Sequence, residues 1–196
     1  MEDNPLTEQE SLELITRMIN KTKHDYLDTG VSALLWGSVI SISSLLSFAS
    51  YYQNWGWGEW VWWLTYLAVI PQIIISWRDK KKRKYRTYSE DAMGGIWISF
   101  GISMFLLSYY NSLFHIPHAG AVFLVIYGVP TFATGFTRSF RPMIIGGIAC
   151  WILAILSMRT PFPYSMLYNF IAAQLAWFIP GLILRRRYLK AKKQHV

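Results

Sequence analysis

The residues of this chain whose types could do chemistry are few, and they sit at the ends of apolar runs. His115 and His118 in "FHIPHAG" stand three apart, a spacing that places two imidazoles on one face of a helix. Neutral imidazole is a common metal ligand, but a zinc site needs at least three protein ligands. Pro117 falls between the pair, and no third ligand lies near in sequence. Glu59 and Arg159 fall on the same side of the apolar runs and would meet the histidines, or each other, only through tertiary contact. The default reading is a pair of interfacial histidines, with Glu59, His115, His118 and Arg159 kept as a candidate outer-face site. The chain has no HExxH, no paired aspartates within an apolar run, no GxSxG and no CxxC. No catalytic residue, metal or cofactor is assigned. Cys150 is the single cysteine, so no intrachain disulfide forms.

Inside the apolar runs the polar groups are neutral. Gln72, Thr131, Thr134, Asn169 and Gln174 stand near three prolines, Pro71, Pro130 and Pro180, in "AVIPQIII", "YGVPTFAT" and "WFIPGLIL". Each proline lacks the N–H that would meet the carbonyl four residues back, which frees Leu67, Ile126 and Ala176. A carbonyl in hydrocarbon needs a partner. The five polar side chains are therefore read first as glue between helices and, as the alternative, as the lining of a shallow polar pocket. No Asp, Glu, Lys or Arg interrupts an apolar run away from its ends, which argues against a proton- or sodium-coupled transporter. An uncoupled channel or facilitator stays open, without a charged ring or filter signature to favour it.

The elements that position these groups follow from composition. The chain of 196 residues is 53% hydrophobic and 15% charged, against about 25% charged in an ordinary globular domain. Its charges crowd into residues 2–28, 78–91 and 185–193. A bilayer core about 30 Å thick takes roughly 20 apolar residues per helix. Six such spans are predicted: Val31–Ser50, Glu59–Trp77, Gly94–Leu113, Ala119–Phe136, Met143–Met158 and Ser165–Leu184. The tight loops predict that consecutive helices are antiparallel neighbours. The fold class is all-α, a six-helix transmembrane bundle, divided into a cytoplasmic segment 1–29, a membrane domain 30–184 and a basic tail 185–196. The acidic start has no positive n-region, so the first span is expected to remain as an uncleaved anchor. Of 19 Lys and Arg, only Arg159 falls outside if both termini are cytoplasmic, as the positive-inside rule requires. That arrangement predicts a cytoplasmic, or inner, membrane location.

The alternation of proline-free and proline-bearing spans suggests a three-hairpin pseudo-repeat. Small residues mark helix contacts: Ser38, Ser41 and Ser44 on the first span, Gly94 and Gly101 on the third, Gly146 and Gly147 on the fifth, Ala172 and Ala176 on the sixth. "YYQNWGWGEWVWW", residues 51–63, holds five of the ten tryptophans. It reads as an interfacial belt turned by Gly56 and Gly58, with an aromatic cage for a cation as the alternative.

Two segments outside the spans carry partner expectations. "LTEQESLELITRMINKTKHDYLDTG" reads as a helix opened by a Thr7–Glu10 capping box, with Leu12, Ile15, Ile19 and Tyr26 on one face. It either lies on the leaflet or docks a protein partner or a second copy. The run Arg78–Arg86 holds seven cations in nine residues. Lys80, Lys81, Lys82, Arg83 and Lys84, with Arg185, Arg186 and Arg187, are the expected contacts to anionic headgroups. The acidic N-terminus folding over this loop is a further expectation. A nucleic-acid partner is not expected, since no binding fold accompanies the basic run. The segment "ESLELITRMINKTKHDYLDTG" followed by "LLWGSVI" resembles small bacterial six-span membrane proteins, over most of the chain including the basic loop. That resemblance implies fold and topology, and it carries no activity. The function expected is therefore association: an accessory, sensing or regulatory membrane subunit, with a small-solute transporter or channel as the alternative.

Overall fold

A computed structural model describes residues 7, 9, 12–13, 28–82 and 88–194. Apart from those isolated positions, the N-terminal amphipathic segment with its Thr7–Glu10 box lies outside the described residues, as do Arg83 and Lys84. The described chain is helical. It runs α1 (Val31–Tyr52), a 3-10 turn (Trp60–Trp62), α2 (Trp63–Lys82), α3 (Tyr88–Phe114), α4 (Ala119–Thr137) and α5 (Arg141–Met158). A last rod is built from α6 (Ser165–Ala173), a π-helical turn (Gln174–Phe178) and α7 (Ile179–Gln194). Six of these rods are long and apolar enough to cross a membrane.

Helix ends are set locally. Pro142 sits in the first turn of α5, where its missing N–H removes no intrahelical bond. Gly30 precedes α1 with φ 69°, and its N–H donates to Asp28 Oδ1 at 2.9 Å. A Cβ at Gly30 would stand 2.5 Å from the Gly181 carbonyl oxygen, so conformation and close approach both demand glycine. The starts of α1, α3 and α5 and the ends of α2, α4 and α7 share one end of the bundle. Asp28 pairs with Arg138 there, and the Arg187 guanidinium lies over the Phe140 ring at 5.2 Å. Arg159, the tryptophan-rich turn and both histidines of the α3–α4 turn are at the opposite end.

The core belongs to four spans. It is built from Ile40 of α1, Leu124 and Tyr127 of α4, Cys150 and Ala154 of α5, and Ala172, Ala173, Ala176 and Trp177 of the last rod. Lipid tails are as apolar as leucine, so helices in a bilayer gain from close packing and hydrogen bonds more than from burial. Glycines supply the close packing. A Cβ on Gly135 would lie 2.6 Å from Ile144 N, and one on Gly147 would lie 2.7 Å from Phe132 Cβ, which fixes α4 against α5. A Cβ on Gly146 would lie 2.6 Å from Ala176 Cα, and one on Gly37 of α1 2.7 Å from Phe178 N. The π turn is therefore gripped from both sides.

The second and third spans differ. Not one residue of α3 is buried along its 27 positions. Among the described residues no Cα of α2 comes within 8 Å of one in α3, and the two helices touch through Tyr66 and Phe105, whose ring centroids are 6.3 Å apart. Consecutive helices are expected to be antiparallel neighbours; this pair meets through side chains rather than backbone, and the polar group of α2, Gln72, is engaged with α1. The reading of Gly94 and Gly101 as packing residues is corrected: a Cβ at either would meet nothing within 4 Å. Ser41, Ser44, Gly146, Gly147, Ala172 and Ala176 do lie in helix contacts. The proline helices also differ in their surroundings. Pro130 and Pro180 are fully buried, Pro71 is half-buried, and the π turn precedes Pro180 alone.

Candidate functional site

The polar side chains of the spans form a set of interhelical clamps. Gln72 joins α2 to α1: its Oε1 accepts from Trp36 Nε1 at 3.1 Å, and its Nε2 donates to Ser32 Oγ at 3.2 Å and to Ser76 Oγ at 2.9 Å. On α4, Thr131 donates to the Tyr127 carbonyl at 2.8 Å and accepts from Trp177 Nε1 at 2.9 Å. One turn on, Thr134 donates to the Pro130 carbonyl at 2.7 Å and accepts from Trp97 Nε1 at 3.0 Å. Gln174 in the π turn donates to Ser41 Oγ at 2.6 Å, and Ser41 donates to the Gly37 carbonyl at 2.6 Å.

These partners differ from the ones the prolines suggest. A threonine hydroxyl in a helix reaches the carbonyl four residues back. Thr131 therefore serves Tyr127 rather than the freed carbonyl of Ile126. At Pro180 the helix widens instead. Within the π turn the Ile179 N–H reaches five residues back to Gln174 O.

Three interior tryptophans, Trp36, Trp97 and Trp177, complete the set, and sequence reasoning passed over them. Tryptophan N–H groups usually find acceptors when buried, and the i,i+3 pair Thr131–Thr134 was the available sign that two donors converge on one face of α4. Around this pair the rings close ranks. Tyr127 lies 5.0 Å from Trp177, and Phe100 of α3 lies 6.0 Å from Tyr127 and 6.4 Å from Trp177, centroid to centroid.

Asn169 is the exception among the five. Its Nδ2 donates to the Ser165 carbonyl at 3.2 Å, but its buried Oδ1 has no partner. The buried hydroxyls of Ser43, Ser44 and Ser157 are likewise unpartnered.

The outer-face residues stay apart. Glu59, His115, His118 and Arg159 are all exposed. His115 and His118 have φ 48° and 53° in the turn between α3 and α4, so they do not share a helix face. Among the described residues no ion pair joins Glu59 to Arg159, and no group of three ligating side chains could hold a metal. In the tryptophan turn, Gly56 has φ 73°, and Gly58 carries the carbonyl that accepts from Ser47 Oγ at 2.8 Å. Trp55 stacks on Trp57 at 5.3 Å and Trp60 on Trp63 at 6.5 Å, with all four exposed. Rings stacked flat enclose no space for a cation, which leaves a rim suited to a headgroup layer.

At the basic end Lys80, Arg186 and Arg187 are exposed. Lys81 Nζ lies 3.7 Å from the Trp77 ring centroid, and the Arg185 guanidinium 5.6 Å from that of Tyr188. Lys82 closes α2. Compared with known families, with curated proteins and with solved structures, the chain has no significant match.

Proposed function

We propose that this is an integral membrane protein that works by association, as an accessory, sensing or regulatory subunit without a catalytic centre of its own. Its place is the cytoplasmic membrane, with the basic end and both termini in the cytoplasm. The observation that carries this reading is α3, a 27-residue span with no buried residue in a chain whose other polar interior groups are mostly paired. Gly94 and Gly101, where a Cβ would meet nothing within 4 Å, lie outside the α3–α4 seam and let another backbone approach. The amphipathic segment 7–28 and the basic surface are the cytoplasmic part of the same contact.

The test is the native mass of the protein extracted gently from its own membrane. A stoichiometric second chain, or a defined homo-oligomer, is expected, and it should be lost when residues 7–28 are deleted. A lone chain in the full-length protein sinks the reading.

A second reading, an uncoupled transporter or channel for a small solute, is favoured by the buried, unpartnered Asn169 Oδ1 and the hydroxyls of Ser43, Ser44 and Ser157. Cysteine placed at Gln72, Asn169 or Gln174 in a Cys150→Ala background should then react with water-soluble thiol reagents. Inert positions rule it out.

A further inference from the structure

An open groove of about 530 Å³ runs along the seam between α3 and α4. Gly95, Ser99 and Ser103 line one wall, and Val125, Val129 and Pro130 the other. Its cause is a mismatch of side-chain size on α3. Trp97, tied to Thr134, and Phe100, packed against Tyr127 and Trp177, fill one side of the seam between α3 and α4. The next face of α3 carries only small residues at four-residue intervals, Gly95, Ser99 and Ser103, so the space beside those two rings is not filled. Nothing stands within 4 Å of where a Gly95 Cβ would be.

The groove has a direction and a depth. It begins at Ala92, in the second turn of α3, at the end of the bundle that carries the cations. Ser103 lies eleven residues further on, which at 1.5 Å per residue is about 16 Å. A leaflet's hydrocarbon is about half of 30 Å thick. The groove thus reaches from the basic surface to about the middle of the bilayer and ends there.

We propose that this groove is a binding site for one acidic phospholipid of the leaflet on the basic side. One acyl chain lies between α3 and α4, and the headgroup stands at the basic end. A slot that is apolar apart from two hydroxyls offers water little and hydrocarbon much, and a void there would forfeit contacts along its whole lining. Glu90 and Asp91 occupy the first turn of α3 and disfavour an anion at that lip. The headgroup is therefore met from the α4–α5 turn, where Arg141 is exposed. The rest of that end is positive by excess: among the described residues every Lys and Arg except Arg159 lies on that side, in a chain of net charge +8.

The full-length protein, purified in mild detergent, would be given vesicle-derived phosphatidylglycerol or phosphatidylcholine, and bound lipid counted by native mass spectrometry. Wild type should retain phosphatidylglycerol in preference. Gly95→Leu fills the slot from a position where a side chain meets no protein atom, and should lower retention about tenfold, a change of 1.4 kcal/mol. Gly101→Leu, equally open but outside the groove, should leave retention unchanged. Arg141→Gln should reduce the preference for the acidic headgroup about fivefold, the weight of one cation near an anionic surface. Equal loss in both glycine variants, equal retention of the two lipids by wild type, or a cross-link from Ser99→Cys to a second polypeptide would each overturn the proposal. The native mass of the lipid-free particle, which tests association, is a separate readout and can fail independently.

Discussion

Two regions of the bundle use the same residue type to opposite ends. Among α1, α4, α5 and the last rod, glycine lets backbones touch: Gly37, Gly135, Gly146 and Gly181 each face another helix at under 3 Å from a would-be Cβ. On α3, Gly94, Gly95 and Gly101 face open space. Hydrogen bonds join the two regions: within the core Thr131 draws Trp177 onto α4, while α3 is tied to α4 through Trp97 and Thr134 and α2 to α1 through its Gln72. A glycine in a membrane helix is thus evidence of contact only when the opposite face is known. The four-span group forms the buried core, and the second and third spans pack on it at α1 and α4 respectively.

The largest effect that would test this division is steric. Gly146→Leu forces a side chain against Ala176 Cα and the Leu175 carbonyl, and should cost at the upper end of the roughly 1–3 kcal/mol of overpacking. Gly101→Leu should stay within about 0.5 kcal/mol. Melting temperatures in detergent of the two variants, run side by side, decide it; similar losses would erase the distinction between core and periphery.

The next effect is the loosening of α2. Gln72→Leu removes three hydrogen bonds, together about 2 kcal/mol at the averaged worth of transmembrane bonds. Amide hydrogen exchange should rise along α2 and leave α4 and α5 unchanged. A uniform rise would mean that α2 is part of the core.

Smaller is the coupling between Trp177 and Thr131, expected at about 0.6–1.7 kcal/mol from a double-mutant cycle of Trp177→Phe and Thr131→Val. The equivalent cycle on Trp97 and Thr134 should give less, because α3 can move away when the bond is lost. Smallest is the partly exposed ion pair of Asp28 and Arg138. Asp28→Asn should shift stability by about 0.2–1 kcal/mol, an effect that fades in high salt.

Much of the interior assignment was legible residue by residue. Gln72 and Gln174 were found because an amide in hydrocarbon must have a partner, and both join one helix to another. Asn169 was found for the same reason, yet only its Nδ2 is engaged, and within its own helix. The partners themselves were hidden. Trp36, Trp97 and Trp177 look like any apolar bulk until the opposing threonine or glutamine is in place, whereas the tryptophans of the outer turn stand out by their clustering. The two histidines looked paired on a helix that Pro117 ends, and the turn conformation at both positions separates them.

The sequence by itself determined that six apolar helices form and that Pro142 opens the fifth, although the third begins six residues earlier than its apolar run, at Tyr88, and the last runs on to Gln194. Each of these is a local matter. In hydrocarbon the backbone must satisfy its own hydrogen bonds, so a helix of sufficient apolar length forms without reference to its neighbours. Only the tertiary structure decided which helices meet. The faces that join α4 to α5, or close Gly37 onto the π turn, depend on residues far apart in the chain. So does the space between α3 and α4, left open where Gly95, Ser99 and Ser103 stand beside the rings of Trp97 and Phe100.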